Sequence, residues 1–304
     1  METTSPTFSI LITTKNRKVD LEFTLTKISY LLKREDVVCI ICDDGSTDGT
    51  ADFLEMNYPE IQLIKNTKSK GLIYSRNRLL DLVKTEFAIS IDDDLHFITQ
   101  NPLELIQKHF EEHEKCGLIA LRIFWGLLEP KNTVTNQDYQ VVQGFVGCAH
   151  VWRMTAWKTI PNYPEWFIFY GEEDFAAYQL FKANWQTHYL PQVLVNHRVN
   201  IKARKTDSDY LVRQRRSLRS GWYLMFMFYP IATIPKKLMY SVGMQLKLKV
   251  FKGDFKTLKV IILAFVDLIG NLPKILKNSN RFTNNEFIKY KQLPETKIYW
   301  IEEE

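Results

Sequence analysis

Phe87-Ala88-Ile89-Ser90-Ile91-Asp92-Asp93-Asp94 is the stretch on which the reading of this chain turns. Residues 87–91 have the length and β-branched content of a buried strand. Three carboxylates at the end of such a strand are costly to desolvate unless something compensates their charge. A divalent cation does so, because hard oxygen ligands suit magnesium or manganese. Side chains alternate along a strand, so Asp92 and Asp94 can converge on one ion while Asp93 points away. A solvated acidic loop is the competing reading, and the surroundings of the triplet decide between the two.

Working outward, 8–12, 37–42 and 61–64 are further strand-length apolar runs, with helical spacing at 19–32, 50–56, 72–83 and 102–114. Strand and helix in alternation predict a parallel sheet flanked by helices, whose ligands bind beyond the carboxyl ends of the strands. Thr13-Thr14-Lys15-Asn16-Arg17, Asp43-Asp44-Gly45-Ser46 and Asp92-Asp93-Asp94 each follow a strand, so all three are expected on one edge. The stretch from Asp44 to Glu55 also satisfies the calcium-loop pattern of an EF-hand. That motif requires a helix before the loop, and 37–42 is strand-like. The same residues read better as a strand end, a glycine turn and a helix capped by Ser46 or Thr47. A carboxylate held there could accept a hydrogen bond from N3–H of a uracil or thymine base.

From 116 to 195 the pattern is less regular, with strands expected at 118–125 and 141–152 and an exposed loop at 130–138. A helix is expected at 175–184, opened by Gly171-Glu172-Glu173-Asp174. Carboxylates are favourable at a helix N-terminus, so capping alone would account for that cluster.

Composition limits the remaining possibilities. The 304 residues, 45% hydrophobic and 25% charged, suffice for one large or two modest domains. Four cysteines do not make a disulfide framework. Cys39 and Cys42 lie on one strand at an odd offset, which puts their thiols on opposite faces and argues against zinc. The first six residues lack a basic stretch followed by an apolar core, so no secretory leader is expected and the reading is cytoplasmic. The net charge of +5 is uneven, with 18 Lys/Arg against 4 Asp/Glu between 198 and 281. A basic, mainly helical region is therefore expected over 201–304. The uncharged stretch 220–235 and the apolar run 260–266 are too short to span a bilayer. Trp222, Tyr223, Phe226, Phe228 and Tyr229 cluster in the uncharged stretch instead of alternating with Lys and Arg. That argues against a nucleic-acid partner. It favours an interfacial patch flanked by cations, peripheral on the anionic inner face of the plasma membrane, with an apolar face packed on the catalytic body as the alternative for each segment taken singly.

The motifs taken together resemble glycosyltransferase family 2. They are Phe8-Ser9-Ile10-Leu11-Ile12-Thr13-Thr14-Lys15-Asn16-Arg17, Cys42-Asp43-Asp44-Gly45-Ser46-Thr47-Asp48-Gly49-Thr50, Gly71-Leu72-Ile73-Tyr74-Ser75-Arg76-Asn77 and Ile91-Asp92-Asp93-Asp94. Gly144-Phe145-Val146-Gly147-Cys148-Ala149 is similar to the family's acceptor-side glycine segment. Phe169-Tyr170-Gly171-Glu172-Glu173-Asp174, a helix and the stretch ending at His197 resemble its catalytic-base region and a following histidine. The resemblance covers 8–200 and is looser to about 293.

The resemblance implies an α/β GT-A fold, a Rossmann-like, mostly parallel sheet flanked by helices. The catalytic domain would span 1–200, with a nucleotide-sugar half to about 115 and an acceptor half beyond it. It implies inverting transfer from a UDP- or dTDP-linked sugar, with Mg2+ or Mn2+, to a carbohydrate or lipid-linked acceptor in cell-surface polysaccharide or glycolipid assembly. By position it assigns Thr13, Asn16, Arg17, Asp43 and Asp44 to the nucleotide, and Arg76, less strongly Asn77, to the diphosphate. Asp92, Asp93 and Asp94 form the DxD segment, with Asp92 and Asp94 holding ribose and metal and His197 a further metal or phosphate contact. The base comes from Glu172, Glu173 or Asp174. Matching Glu173-Asp174 to the family's ED pair selects Asp174, whereas alignment through Lys182-Ala183-Asn184-Trp185 places Glu172-Glu173 there. Gln214-Arg215-Arg216-Ser217-Leu218 lacks the tryptophan of the processive synthases' QxxRW motif, which implies single additions. A sugar nucleotidyltransferase would want a glycine-rich phosphate loop after the first strand, and Thr13–Arg17 has no glycine. A non-catalytic sugar- or lipid-binding relative is the non-enzyme alternative.

Overall fold

A computed structural model describes residues 6–200 and 209–297. The parts of the expected basic region at 201–208 and 298–304 lie outside the described residues. Four strands pair in parallel, β1 (Phe8–Thr14), β2 (Val37–Asp43), β3 (Gln62–Lys65) and β4 (Phe87–Asp92), in the order β3-β2-β1-β4. Period-2 alternation sorts their side chains into two cores. Ile10, Ile12, Cys39, Ile41, Ile89 and Ile91 face one side, whereas Leu11, Ile40, Cys42 and Ala88 face the other. Cys39 and Cys42 thus lie on opposite faces, both as buried free thiols.

Helices α1 (Lys18–Lys27), α2 (Ser29–Leu32), α3 (Thr50–Asn57), α4 (Leu72–Leu80) and α5 (Pro102–Glu112) cover the faces. The single helix expected over 19–32 is interrupted at Ile28. The expected cap of α3 also differs. Gly49 occupies the N-cap in the left-handed conformation, and Asp48 accepts the Thr50 amide at 3.1 Å.

The sheet continues through β8 (Ala149–Arg153), β6 (Cys116–Trp125), β9 (Gln186–His197) and β5 (Leu95–Phe97), with β7 (Gln140–Val142) paired to β9. Residues 143–148 break the strand expected over 141–152, since their backbone runs as a loop beside the end of β4. The short α6 (Met154–Trp157) follows β8, and α7 (Glu172–Lys182) starts at Glu172, three residues before the expected helix.

Beyond the sheet lie α8 (Tyr210–Phe228), α9 (Ile234–Leu248), α10 (Lys256–Gly270), α11 (Leu272–Lys277) and α12 (Asn284–Gln292). The α8 aromatics correct one expectation. Trp222, Tyr223 and Phe228 are buried in the same core as Trp152, Phe167, Phe175 and Tyr178, with Phe226 and Tyr229 packed against it. Phe228 meets Tyr178 at 5.0 Å and Tyr223 meets Phe167 at 5.4 Å between ring centroids. These rings are joinery between α8 and the body, because each gains more from a packed aromatic neighbour than from a wet interface. No helix among the described residues is long and apolar enough to cross a membrane.

Candidate active site at the strand ends

Register brings the motifs together. Thr13 lies opposite Asp92, and Thr14 opposite Asp43, so the loops after β1, β2 and β4 open on one edge of the sheet. A cleft of about 490 Å³ lies there, lined among others by Thr13, Lys15, Arg17, Ser69, Phe169 and the aspartate triplet. The triplet is fixed through its backbone. Asp92 donates its amide to Cys148 O at 3.0 Å, and Asp94 O accepts from the Arg198 amide at 2.9 Å.

Carboxylate Oδ1 of Asp94 lies 2.9 Å from His197 Nε2, and Asp92 Oδ2 lies 3.9 Å from the same nitrogen. One ligand atom from each of Asp92, Asp94 and His197 falls within 4.8 Å of the others. Octahedral ligation at 2.0–2.1 Å sets neighbouring ligand atoms about 3.0 Å apart and opposed ones about 4.2 Å apart. Separations of 2.9 and 3.9 Å lie close to these values, so two carboxylates and an imidazole here could hold a divalent cation. The other oxygen of Asp94 accepts from Arg17 Nη2 at 2.6 Å. Burial alone would raise the Asp94 carboxyl, but His197 and Arg17 outweigh it and hold the group below the usual carboxylate range.

Asp93 differs from expectation in its surroundings. It is buried, accepts from Thr14 Oγ1 at 2.8 Å and stands 3.1 Å from Arg17 Nε. Burial, with the neighbouring Asp94 charge, pushes its pKa up to about 8 against Arg17 and Thr14.

The β2 carboxylates have separate tasks. Both oxygens of Asp44 are occupied, by Asn66 Nδ2 (2.7 Å), Ser69 Oγ (2.6 Å), the Lys70 amide (2.8 Å) and the Gly71 amide (2.9 Å). Asp44 therefore pins the loop leading into α4. Asp43 takes the Ser46 amide at 3.0 Å and the Ser46 hydroxyl on the same oxygen, Oδ1. Asn16, with a left-handed φ of 52°, ties the loop after β1 to that after β2 by accepting the Thr47 amide at 2.7 Å.

Arg76 is buried and fully engaged. Its guanidinium meets Asp92 Oδ1 at 3.0 Å, Glu172 Oε1 at 3.1 Å and Gly147 O at 2.8 Å. It thereby bridges the end of β4 and the start of α7. Asn77 likewise spends both ends of its amide on the Tyr163 backbone, at 2.9 and 3.0 Å.

Successive helical residues step about 100° around the axis, so the three acids of α7 part company. Glu172 points inward to Arg76, its Oε2 buried without a hydrogen-bond partner among the described residues. Burial, then the Glu173 charge, raises its pKa despite Arg76. Glu173 lies against Gly147. A Cβ on that glycine would stand 2.7 Å from Arg76 Nη1 and closer still to Glu173 Oε1, so any larger residue must displace one of these side-chain ends. Asp174 turns to the other side, where its electrostatic neighbours are Tyr178, Tyr229, Tyr290 and Lys291. It is solvent-exposed. The surrounding protein and Glu173 push its pKa upward, an effect that water at the carboxylate screens.

Sequence reasoning missed Lys15 and Phe169 as cleft residues, together with the role of Gly147. Both belong to motifs of the family resemblance, but Phe169 lies 75 residues beyond Asp94, and only the tertiary fold returns it to the cleft.

A mixed α/β sheet with a cleft beyond its parallel strand ends, holding a two-carboxylate, one-imidazole cluster, defines an open α/β protein with its ligand site in the usual place. Residues 9–179 match the family model described as Glycosyl transferase family 2, and the chain belongs to that family. Over 124 residues it is 29% identical to the uncharacterized glycosyltransferase YfnE of Bacillus subtilis (strain 168), a match spanning 38% of this chain and 31% of that one. Over 108 residues it is 32% identical to the UDP-Glc:alpha-D-GlcNAc-diphosphoundecaprenol beta-1,3-glucosyltransferase WfaP of Escherichia coli, spanning 35% of this chain and 42% of that one. The matched segment is less than half the length of either relative. Mannosyltransferase PcManGT from Pyrobaculum calidifontis, solved in complex with GDP-Man and Mn2+, superposes on 72% of this chain and 63% of its own, with a TM-score of 0.54 and 16% identity. That likeness identifies the fold as GT-A.

Proposed function

We propose that the protein transfers a hexosyl or deoxyhexosyl group, with inversion, from a UDP- or dTDP-linked sugar to an acceptor hydroxyl in cell-surface polysaccharide or glycolipid assembly. The observation that carries this reading is the Arg76 bridge. It couples Asp92 at the donor cleft to the α7 acids, with Glu173 beside it against Gly147. Two families of charge needed for one displacement are thereby held in fixed relation.

In this reading Thr13 meets the nucleoside together with Asp43 at the end of β2, and Lys15 lines the cleft as a cation for the diphosphate, with Arg17 beside it paired to Asp93 and Asp94. Asp92, Asp94 and His197 would hold the divalent ion, which when bound neutralises charge on the departing diphosphate. Glu173 accepts the proton of the acceptor hydroxyl as that oxygen attacks the anomeric carbon. The bond to the nucleoside diphosphate breaks on the opposite side. Glu173 is preferred to Asp174, the literal match to the ED pair, because Asp174 faces α12. Glu172, pinned to Arg76, positions the bridge.

The acceptor fits a groove between α8 and α9 lined by Tyr170, Gln214, Ser217, Trp222, Gln245 and Lys249. Gln214, Ser217 and Gln245 line it as polar side chains. Ile168 and Tyr170 hold left-handed φ of 70° and 71°. Between them Phe169 reaches the donor cleft, and Tyr170 reaches the groove. Backbone strain of about 1–3 kcal/mol per residue suits a loop that joins two subsites. The likeness to WfaP supports a lipid-linked acceptor.

Release of nucleoside diphosphate from UDP-glucose, UDP-galactose, UDP-N-acetylglucosamine and dTDP-rhamnose, with and without manganese, tests the reading. One donor should turn over, with manganese stimulating it. Failure of all four, together with no calorimetric binding of UDP or dTDP, overturns it. Asp94→Ala should abolish turnover; full activity in that variant with manganese retained would remove Asp94 from the metal set.

A further inference from the structure

We propose that the outer face of α10 is a docking surface for an anionic bilayer. The helix is apolar on two sides. Thr257, Val260, Ile261, Ala264 and Leu268 are buried against the body. On the opposite side Phe255, Leu258, Ile262, Val266 and Ile269 are 40–71% exposed. At 100° per residue these five fall within a narrow stripe, a ridge roughly 21 Å long at 1.5 Å per residue. Phe251, in the turn before the helix, is 79% exposed. A contiguous apolar ridge of this size on a protein surface marks a partner.

Charge selects the partner. Between 231 and 277 stand nine lysines against two aspartates, Asp254 and Asp267. Both aspartates are engaged internally. Asp267 pairs with Arg215 through bonds of 2.7 and 2.5 Å, and Asp254 accepts from Thr257 Oγ1 at 2.8 Å. Lys256 and Lys259 flank the ridge on α10 itself, and Lys236 and Lys247 share the exposed face of α9 with Met239 and Tyr240. A ridge edged by Lys256 and Lys259, in a segment of net positive charge, repels a second copy of itself and attracts anionic lipid at about 1 kcal/mol per lysine near the surface. Interfacial helices seat their apolar faces about 5–10 Å deep, which long side chains on a rigid helix can reach.

The ridge differs from the aromatic stretch 220–235 that composition alone suggested, since α8 spends those rings on the core. It begins shortly after Lys249 of the acceptor groove, which suits an acceptor carried in a membrane. The docking itself does not depend on sugar transfer.

The test is flotation of the full-length protein with vesicles of phosphatidylcholine, alone or mixed with phosphatidylglycerol, at physiological salt. Binding to the mixed vesicles is expected. The double variant Ile262→Ser, Val266→Ser should lower the partition coefficient at least about tenfold. Lys256→Glu with Lys259→Glu should remove the preference for phosphatidylglycerol. Both variants should keep the wild-type near-UV circular dichroism and donor turnover, because these side chains already face water. No flotation of the wild type, or equal flotation of the serine variant, overturns the proposal. So does a concentration-dependent dimer in sedimentation velocity that the serine variant abolishes, which would assign the ridge to a second copy of the chain.

Discussion

Arg76 shows how one side chain can tie two motifs of a site together. Buried between Asp92 and Glu172, it compensates two carboxylates that sequence assigns to different motifs. Replacing it with methionine leaves both uncompensated, and a loss of about 3–5 kcal/mol is expected by urea unfolding. A change near zero would mean that water already compensates them. Glu173 and Asp174 present a choice that alignment leaves open by one position. Glu173→Gln should lower kcat by about 10²–10⁴ with donor KM little changed, whereas Asp174→Asn should stay within about tenfold of wild type. The reverse ranking would transfer the base to the α12 side of the helix. The residue types at this site were legible in the sequence. Their partners were not, because a guanidinium with three acceptors reads the same as one waiting for phosphate.

Elements convert these contacts into geometry. The loop 143–148 interrupts what reads as a continuous strand, and Gly147 within it allows Arg76 and Glu173 to approach the same backbone. Gly147→Ala should displace both groups, with a loss of about a hundredfold in kcat for a shift on the order of 1 Å. Unchanged kcat would show that the two side chains can give way. Helices α8 and α10 make the complementary point. Both carry apolar residues at helical spacing in a basic region, yet α8 turns its aromatics to the core and α10 leaves a stripe outside. Trp222→Ala should therefore cost about 3–5 kcal/mol in unfolding free energy, whereas Ile262→Ser should leave it within about 0.5 kcal/mol. Comparable losses for the two would place Ile262 in the core.

At the scale of the whole molecule, two histidines distant in sequence meet where α5 packs beside β9. His109 Nε2 and His188 Nδ1 lie 3.0 Å apart. Burial, with neighbouring histidines adding, depresses their pKa values to about 4 and about 3. A depressed folded value means that the unfolded chain binds protons first. Their contribution to stability is complete above an unfolded pKa of about 6.5 and is lost as pH falls from there toward the folded values. The stability difference between wild type and His188→Gln should thus shrink from pH 7 to pH 5, because titrations common to both proteins cancel. A difference independent of pH would mean that His188 is not held neutral. The alternation of strands and helices, the shared edge of the three acidic or polar motifs and the family were all determined by sequence. Each rests on periodicity and spacing that a short stretch of chain contains. The tertiary structure decided that Asp44 builds a loop, that Arg76 bridges two motifs, that Glu173 and not Asp174 faces the bridge, and that α10 instead of α8 presents an apolar surface. Those outcomes depend on which distant groups arrive beside a side chain, and burial and charge compensation are properties of that company.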